Sequence, residues 1–203
     1  MDFTAVIGLV FVDVKGFSFG KYNPTGRNVG DVKIVHGGVV RNVAENLANI
    51  GQPVTLATMF EPNALGDEVR RKLAARGVDL KYAATVSAGM GMWLAVMDEH
   101  GDLAGSISRQ PDMTAMEAIL EEKGDEIVRE CANIVLEIDM NDAIARRVFE
   151  LAEKYHKDIY AIVSNMSVIS RHPELLHKTR LFIMNEIEAG ILFGRNLENI
   201  TPE

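Results

Sequence analysis

The residues best suited to chemistry are polar side chains that stand beside glycines. In His36–Gly51, HGGVVRNVAENLANIG, Gly37 and Gly38 precede an amphipathic segment. Glycines have no Cβ, so a ligand can lie against their backbone, and the unpaired amides that begin a helix can bind hydroxyl or phosphate oxygens. Asn42 lies in the first turn of that segment, and its carboxamide can both donate and accept. These residues indicate a site for a polar small molecule, although the pattern also fits an ordinary strand–turn–helix junction.

Acidic residues follow two apolar runs that predict buried strands. Phe3–Val12 is a continuous apolar run, typical of a central parallel strand covered on both faces, and it ends at Asp13. Ligands of open α/β sheets bind beyond the carboxyl ends of strands, so Asp13 is well placed to accept bonds from substrate hydroxyls. A turn or capping role is the alternative for Asp13. The second run, Ala132–Ile138, carries Glu137 and Asp139 at its end.

The motif Asn185-x-x-Glu188 stands at a predicted strand-to-helix junction. Asn at the N-cap and Glu three residues later are the arrangement of a capping box. The functional alternative is an amide and a carboxylate that hold a hydrated Mg²⁺ near a phosphate, because magnesium keeps its waters and takes few protein ligands. Both roles can be true at once.

Strands and helices alternate along most of the chain, which predicts an α/β fold with a parallel sheet and right-handed crossovers. Strands are predicted at Val54–Met59, Ile159–Val163 and Leu181–Met184, besides the two runs above. The predicted helices are Val40–Ile50, Leu65–Arg76, Met113–Cys131 with a break near Gly124, a segment from Asn141 to about Tyr155, Pro173–Lys178 and Asn185–Phe193.

The segment Met90–Arg109 interrupts this alternation. It predicts two antiparallel strands joined by a polar turn at Glu99–Asp102. Such a pair does not fit easily inside a parallel stack, so we expect it to form a small separate sheet with Val14–Phe19 and Val32–His36. Apolar residues on this sheet favour pairing with another subunit, and a hairpin folded back onto its own domain is the alternative. These residues are Met90, Met92, Trp93 and Ile107.

Composition limits the partners and the compartment. The net charge of −8 and the lack of a basic run argue against nucleic-acid binding. The single cysteine, Cys131, excludes an intrachain disulfide and fits a reducing cytoplasm. No apolar run reaches membrane-spanning length, and the apolar N-terminus lacks the basic residues of a signal peptide. A dinucleotide-dependent oxidoreductase is disfavoured because no G-x-G-x-x-G follows a strand.

Four features of the sequence, taken in their order along the chain, resemble the PfkB/ribokinase family of sugar and nucleoside kinases. The resemblance runs from Val6 to about Gly194. The segments VDVKGF and GGVVRNVAENLANIG are most similar to pseudouridine-kinase-like members. The four features are the first strand ending at Asp13 with Lys15-Gly16 after it, Gly37-Gly38-x-x-x-Asn42, the hairpin near Met90–Arg109, and Asn185-x-x-Glu188.

This resemblance implies a three-layer α/β/α, ribokinase-like core with a small protruding β-sheet lid. One domain would span residues 1–203, with lid segments at about 14–36 and 88–110. The implied activity is ATP-dependent phosphorylation of a hydroxyl or hydroxymethyl group of a sugar or nucleoside, with Mg²⁺. The lid commonly builds a homodimer in this family. The implied substrate-binding residues are Asp13, Gly37, Gly38, Asn42, and Glu137 or Asp139, and the residues implied to organise Mg²⁺ and phosphate are Asn185 and Glu188.

The chain departs from the family pattern in its later part. Family members are about half as long again, and their later part carries a Gly-Ala-Gly-Asp-type loop whose amides cradle the phosphate and whose Asp is the general base. No such loop occurs in these 203 residues, and Ser164-Asn165 stands where related kinases often place an aspartate. Phosphoryl transfer needs a positioned hydroxyl, a base and a phosphate cradle. We therefore expect this chain to bind substrate weakly at most and not to turn over. The alternative is a non-catalytic module that binds a sugar or nucleoside, or dimerises through its lid.

Overall fold

The computed structural model describes residues 3–195, which form ten strands and five α-helices. The strands are β1 (Phe3–Ile7), β2 (Phe11–Ser18), β3 (Gly30–Gly37), β4 (Val54–Phe60), β5 (Ala83–Thr85), β6 (Gly91–Met97), β7 (Leu103–Arg109), β8 (Cys131–Glu137), β9 (Ile159–Ile162) and β10 (Leu181–Ile183). The helices are α1 (Val39–Asn49), α2 (Ala64–Ala75), α3 (Thr114–Glu130), α4 (Asp142–Tyr155) and α5 (Glu186–Phe193), and Pro173–Lys178 forms a 3₁₀ helix.

Six strands form a parallel sheet in the order β10-β9-β8-β1-β4-β5. Side chains of β1 alternate between two apolar clusters on its two faces. Val6 belongs to the cluster with Val40 of α1 and Val69 of α2, whereas Ile7 belongs to the cluster with Leu120 of α3 and Val148 of α4. The predicted three-layer α/β/α core is therefore confirmed. Among residues 3–195, no helix combines the length and the apolar character needed to cross a membrane.

The other four strands form a separate sheet in the order β3-β2-β6-β7, as predicted. β2 pairs antiparallel with β3 and parallel with β6, and β6 pairs antiparallel with β7. Side chains of a strand alternate between its faces, so this small sheet has one face with Asp13 and Trp93 and an opposite face with Val14 and Leu94.

The assignment of residues 1–203 to one domain stays a prediction.

The prediction of one strand over Phe3–Val12 is wrong. β1 ends at Ile7, and β2 begins at Phe11 in the small sheet. The chain leaves the core at Gly8, where it passes so close to α1 and β8 that a Cβ atom would lie 2.5 Å from Val40 Cγ2 and 2.8 Å from Glu137 Cβ. Asp13 therefore lies within β2 of the small sheet, not at the end of a core strand.

The predicted break in the third helix is also wrong, because α3 continues from Thr114 to Glu130. Gly124 lies at the contact between α3 and α4, where a Cβ atom would come within 2.7 Å of Leu151 Cδ1. This glycine allows the two helices to pack closely. Its helix penalty of about 1 kcal/mol does not end the helix, because tertiary packing outweighs a local preference of that size.

Candidate functional site

A cavity of about 480 Å³ lies between the small sheet and the carboxyl ends of β8 and β9. Its volume is within the range of small-molecule sites. The core contributes Gly38, Glu137, Ser164 and Asn165 to the lining. The small sheet contributes Phe11, Asp13, Trp93 and Ser108, and Gln110 follows the end of β7. The structure thus brings together Asp13, Gly38 and Glu137, three residues that the sequence singled out from separate segments.

Asp13 reaches the cavity from the small sheet. It is paired in register with Trp93 of β6 and Val35 of β3. Its Oδ2 atom lies 3.3 Å from Lys15 Nζ. A Cβ atom at Gly37 would lie 2.4 Å from Asp13 Oδ1, so the carboxylate occupies the space that a side chain at residue 37 would need. Gly37 therefore contributes room for Asp13.

Gly38 places the N-terminus of α1 beside the cavity. Its φ of 99° is in the left-handed region, and a Cβ atom there would lie 2.5 Å from the Leu9 carbonyl oxygen. Within the described residues no side chain caps α1, whereas asparagine side chains cap α2, α4 and α5. The amides at the start of α1 can therefore donate to a ligand oxygen.

Asn42 is one of the predicted site residues that the structure does not bring to the cavity. It is exposed and is not part of the lining formed by the described residues. Its Oδ1 atom accepts a hydrogen bond from Arg41 Nη2. Arg41 is itself buried and donates from Nη1 to Glu45 Oε2 at 2.8 Å. Asn42 therefore does not share the cavity with Asp13 in this structure, and a substrate role for Asn42 stays a prediction.

Glu137 is the buried carboxyl group of the cavity. It is the last residue of β8, is only 3% exposed, and accepts from the Leu9 amide through Oε2 at 2.9 Å. Burial raises the pKa of Glu137 above its ordinary value, and neighbouring Asp139 adds to this effect. The Leu9 amide and the Ser164 side chain act on the pKa in the opposite direction. The site therefore holds a carboxyl group whose negative charge is only partly compensated, which a ligand hydroxyl could help to stabilise.

Asp139 does not line the cavity but holds a loop that does. Its Oδ2 atom accepts from the amides of Ser164 at 3.0 Å, Asn165 at 3.2 Å and Met166 at 2.9 Å. Its Oδ1 atom accepts from the Val168 amide at 3.0 Å. These four bonds shape the turn after β9 that carries Ser164 and Asn165 to the cavity. Of the two acidic residues considered at the end of β8, Glu137 is thus the one in position to contact a ligand.

Asn185 and Glu188 form the predicted capping box at the start of α5. Asn185 Oδ1 accepts from the Glu188 amide at 2.8 Å, and Glu188 Oε2 accepts from the Asn185 amide at 2.7 Å. Both oxygens are engaged by the backbone, so the pair does not supply a set of direct ligands for Mg²⁺. Groups of three or more His, Cys, Asp or Glu that could hold a metal ion are also absent from the described part of the chain. An indirect role through metal-bound water stays a prediction.

Seven lining residues are not among the predicted site residues, and Phe11, Trp93, Ser108 and Gln110 are the four of them that come from the small sheet and its end. Trp93 is the register partner of both Asp13 and Ser108, so the three side chains form a row across β2, β6 and β7. The sequence offers one signal for Trp93 as a site residue: it is the only tryptophan of the chain and lies two residues after Gly91 in a predicted strand. Strand order and register were needed to place it beside Asp13.

Comparison with known proteins agrees with the fold. The model of the family described as pfkB family carbohydrate kinase matches residues 1–202. The chain is 35% identical over 193 residues to the guanosine-inosine kinase of Exiguobacterium acetylicum, which covers 95% of this chain and 64% of that relative. It is 29% identical over 122 residues to the pseudouridine kinase of Escherichia coli K12, which covers 60% of this chain and 38% of that relative. The chain thus spans less than two thirds of the length of either relative.

A solved structure supports the fold. The ribokinase of Arabidopsis thaliana, determined in complex with ribose and ATP, superposes with a TM-score of 0.77 at 19% identity. The match covers 96% of this chain and 64% of that structure. The predicted similarity to sugar and nucleoside kinases is confirmed, because the family model spans nearly the whole sequence. The chain belongs to the pfkB family of carbohydrate kinases.

Proposed function

We propose that the chain is the substrate-binding and lid portion of an ATP-dependent kinase that phosphorylates a hydroxyl or hydroxymethyl group of a sugar or nucleoside. The observation that carries this proposal is the convergence of Asp13 and Glu137 on one cavity beside the uncapped start of α1. The two carboxyl groups can accept hydrogen bonds from hydroxyls, and the helix amides can donate hydrogen bonds to hydroxyl oxygens. Together these groups match the alternating donors and acceptors of a polyol.

The two carboxyl groups would act by holding the substrate in a fixed position. Asp13 comes from the small sheet and Glu137 from the core, so a sugar bound between them would be held from both sides. Holding the reacting hydroxyl in one orientation lowers the entropic part of the barrier to phosphoryl transfer. We further propose that the small sheet acts as a lid, with the segments at about 14–36 and 88–110, and that it excludes water from the sugar.

The 203 residues contain only part of what phosphoryl transfer requires. Neither the general-base loop nor the phosphate cradle described for the family occurs in this sequence. ATP would supply the phosphoryl group, and a hydrated Mg²⁺ would neutralise its charge near Asn185 and Glu188. We propose that the chain binds substrate weakly and does not turn over by itself. The second candidate is a non-catalytic module that binds a sugar or nucleoside, or dimerises through its lid.

Binding can be tested separately from turnover. We expect ribose, adenosine or pseudouridine to raise the melting temperature of the purified chain, because a ligand that binds the folded state stabilises it by mass action. Asp13→Ala should abolish the shift, whereas Asp31→Ala, on an exposed part of β3, should retain it. The absence of a shift with any sugar, nucleoside or fructose phosphate would contradict the proposed site.

Turnover and the two candidate functions need a second measurement. A coupled assay with ATP, Mg²⁺ and the best ligand should show no phosphorylation by the 203-residue chain. Measurable ATP-dependent product would overturn the proposal that the chain is inactive alone. Sequencing the gene beyond Glu203 separates a kinase portion from a binding module, since only the former requires a glycine-rich loop with an aspartate.

The cytoplasmic location suggested by the single cysteine stays a prediction.

A further inference from the structure

We propose that Arg109 and Glu61 are positioning residues: the ion pair between them fixes the small sheet on the core and so determines where Asp13 stands relative to Glu137. This inference rests on the proposed function of the cavity, because positioning matters for binding only if Asp13 and Glu137 hold the substrate. It assigns a role to two residues that lie outside the cavity lining formed by the described part of the chain.

One row of side chains joins the small sheet to the core. The row lies on the face opposite the cavity, here called the outer face, which also carries Val14 and Leu94. Val12, near the middle of the row, is fully buried and belongs to the apolar cluster that contains Val69 of α2. Each end of the row is a basic side chain next to an acidic residue of the core. In the strand order β3-β2-β6-β7, the register partners of this row are His36, Val12, Met92 and Arg109.

The contact at the β7 end joins three strands. Arg109 is the last residue of β7, and Glu61 directly follows β4 of the core. Arg109 Nη2 donates to Glu61 Oε1 at 2.6 Å and to the Met90 carbonyl oxygen at 3.2 Å. Met90 directly precedes β6. One guanidinium nitrogen therefore connects the end of β7 and the start of β6 to the end of β4.

Glu61 is a well-fixed partner for this bond. It is only 8% exposed, and its Oε2 atom accepts from Asn63 Nδ2 at 2.7 Å. Asn63 is the N-cap of α2, and its Oδ1 atom accepts from the Gly66 amide at 2.9 Å. A Cβ atom at Gly66 would lie 2.1 Å from the Glu61 carbonyl oxygen, so α2 begins in direct contact with Glu61. Because a buried carboxylate is costly without a cation, Glu61 favours the arrangement in which Arg109 lies against it.

The contact at the β3 end is weaker. His36 Nε2 lies 3.4 Å from Glu68 Oε1 of α2, and Lys72 Nζ lies 2.7 Å from the same oxygen. Burial and the Lys72 ammonium lower the pKa of His36, so its imidazole is mostly neutral near pH 7. Of the two end contacts, Arg109–Glu61 is therefore the one in which full charges attract each other at neutral pH.

The row on the outer face is only one residue away from the row that faces the cavity. Along each strand it alternates with the row that contains Asp13, Trp93 and Ser108. The two rows share their backbone, so a movement of the sheet at Arg109 would also move Asp13 relative to Glu137, which belongs to the core. Holding the two carboxyl groups in place before the substrate arrives lowers the ordering cost of binding.

Ligand affinity distinguishes a positioning contact from one that only stabilises the fold. The 203-residue chain is titrated by calorimetry with ribose, adenosine and pseudouridine, at a temperature where urea denaturation shows each variant to be folded. Arg109→Gln and Glu61→Gln should each weaken the tightest of these ligands about tenfold, and the double variant should lose no more than either single variant. Arg109→Lys keeps the charge and should recover most of the affinity. Arg129→Gln, at an arginine of α3 whose side chain is 58% exposed, is the matched control and should bind as wild type.

Trp93 reports the position of the small sheet without any ligand, because it is the only tryptophan of the chain and lines the cavity. Loss of the ion pair should let the sheet move away from the core. Acrylamide should therefore quench Trp93 fluorescence more strongly in Arg109→Gln and Glu61→Gln than in the wild type. Arg109→Lys and Arg129→Gln should be quenched as the wild type is.

The outcomes separate this inference from the proposed function. Ligand binding by the wild type with an unchanged affinity in Arg109→Gln would overturn the inference and leave the proposed function standing. Additive losses in the double variant would also overturn it, since Arg109 and Glu61 would then act separately. Binding of none of the three ligands by the wild type would contradict the proposed function instead. The quenching comparison then decides the inference, and equal quenching in the wild type and Arg109→Gln would overturn it.

Discussion

The carboxylate of Asp13 lies in the space that a side chain at residue 37 would fill. Asp13 faces Val35 across the β2–β3 pair, and Gly37 is the diagonal neighbour on the same face. A Cβ atom at Gly37 would lie 2.4 Å from Asp13 Oδ1 and 2.8 Å from Asp13 Cγ. One of the two glycines before α1 is therefore explained by the position of an acidic residue 24 positions earlier in the sequence.

Because of this relationship, we expect Gly37→Ala to weaken ligand binding while it leaves the free energy of unfolding nearly unchanged. The added methyl group meets only the end of the Asp13 side chain, which can rotate away, so the free energy of unfolding should change by less than about 1 kcal/mol. Ligand affinity, measured by calorimetry with ribose or inosine, should fall at least about tenfold because the carboxylate is displaced. Gly105→Ala, in β7 with open space around it, is the control and should bind as wild type. Unchanged affinity in Gly37→Ala would contradict a substrate role for Asp13.

Glu137 should lower the stability of the folded chain as the pH rises, which is the opposite of the usual effect of a carboxyl group with a lowered pKa. Burial raises the pKa of Glu137 in the folded chain, so the folded state holds this proton more tightly than the unfolded state does. The stability that this protonation contributes is complete below the pKa of the unfolded carboxyl group, about 4.3, and is lost as pH rises through the raised pKa of the folded state.

Glu137→Gln tests this direction, because glutamine cannot ionise. Urea denaturation should show that the variant gains stability over the wild type as the pH rises from about 4 to 7, while its ligand affinity falls. Glu150→Gln, at an exposed position of α4, should show no such trend. A stability difference between Glu137→Gln and wild type that stays constant over this pH range would count against a raised pKa of Glu137 in the folded chain.

Asp139 is predicted to be a structural residue despite its place beside Glu137. Asp139→Ala removes the acceptor of four amides in residues 164–168, two of which belong to the buried residues Met166 and Val168. Leaving these donors unsatisfied should lower the free energy of unfolding by about 3 kcal/mol, measured by urea denaturation. Asp158→Ala, an exposed residue, should cost less than about 0.5 kcal/mol. A similarly small cost for Asp139→Ala would refute this assignment.

The outer face of the small sheet predicts self-association. Register places Ile34, Val14, Leu94 and Ile107 in one apolar row across all four strands. Of these, Ile34 is 59%, Leu94 43% and Ile107 70% exposed. We expect a homodimer through this face, because burying such a row removes apolar surface from water.

Ile107→Lys should convert the dimer to a monomer without loss of fold, since a lysine at an exposed strand position is tolerated in the monomer but carries a charge into the interface. Light scattering over a range of concentrations measures the mass. Ile50→Lys, which replaces an equally exposed isoleucine at the end of α1, should remain dimeric. A monomer mass for the wild type at high concentration would rule out the proposed interface.

Much of the fold could be predicted because most helices and strands have the hydrophobic periodicity that is typical of their type. The amphipathic stripe after Gly38 predicted α1, and the antiparallel hairpin within an α/β alternation predicted the separate sheet. The two wrong predictions share one cause. Gly8 and Gly124 each sit where another element approaches closely, at Val40 and at Leu151 respectively, and such a contact leaves no local signature in the sequence.

The sequence by itself determined the fold class, the capping box at Asn185, and the segments that carry Asp13, Gly38 and Glu137, because residue type, periodicity and spacing along the chain set these features. Tertiary structure alone decided which side chains share the cavity. Strand order and register placed Trp93 beside Asp13, whereas Asn42, which accepts a hydrogen bond from Arg41, lies outside the lining. The physical reason is that a site depends on distances between segments far apart in sequence, and those distances exist only once the sheets have paired and packed.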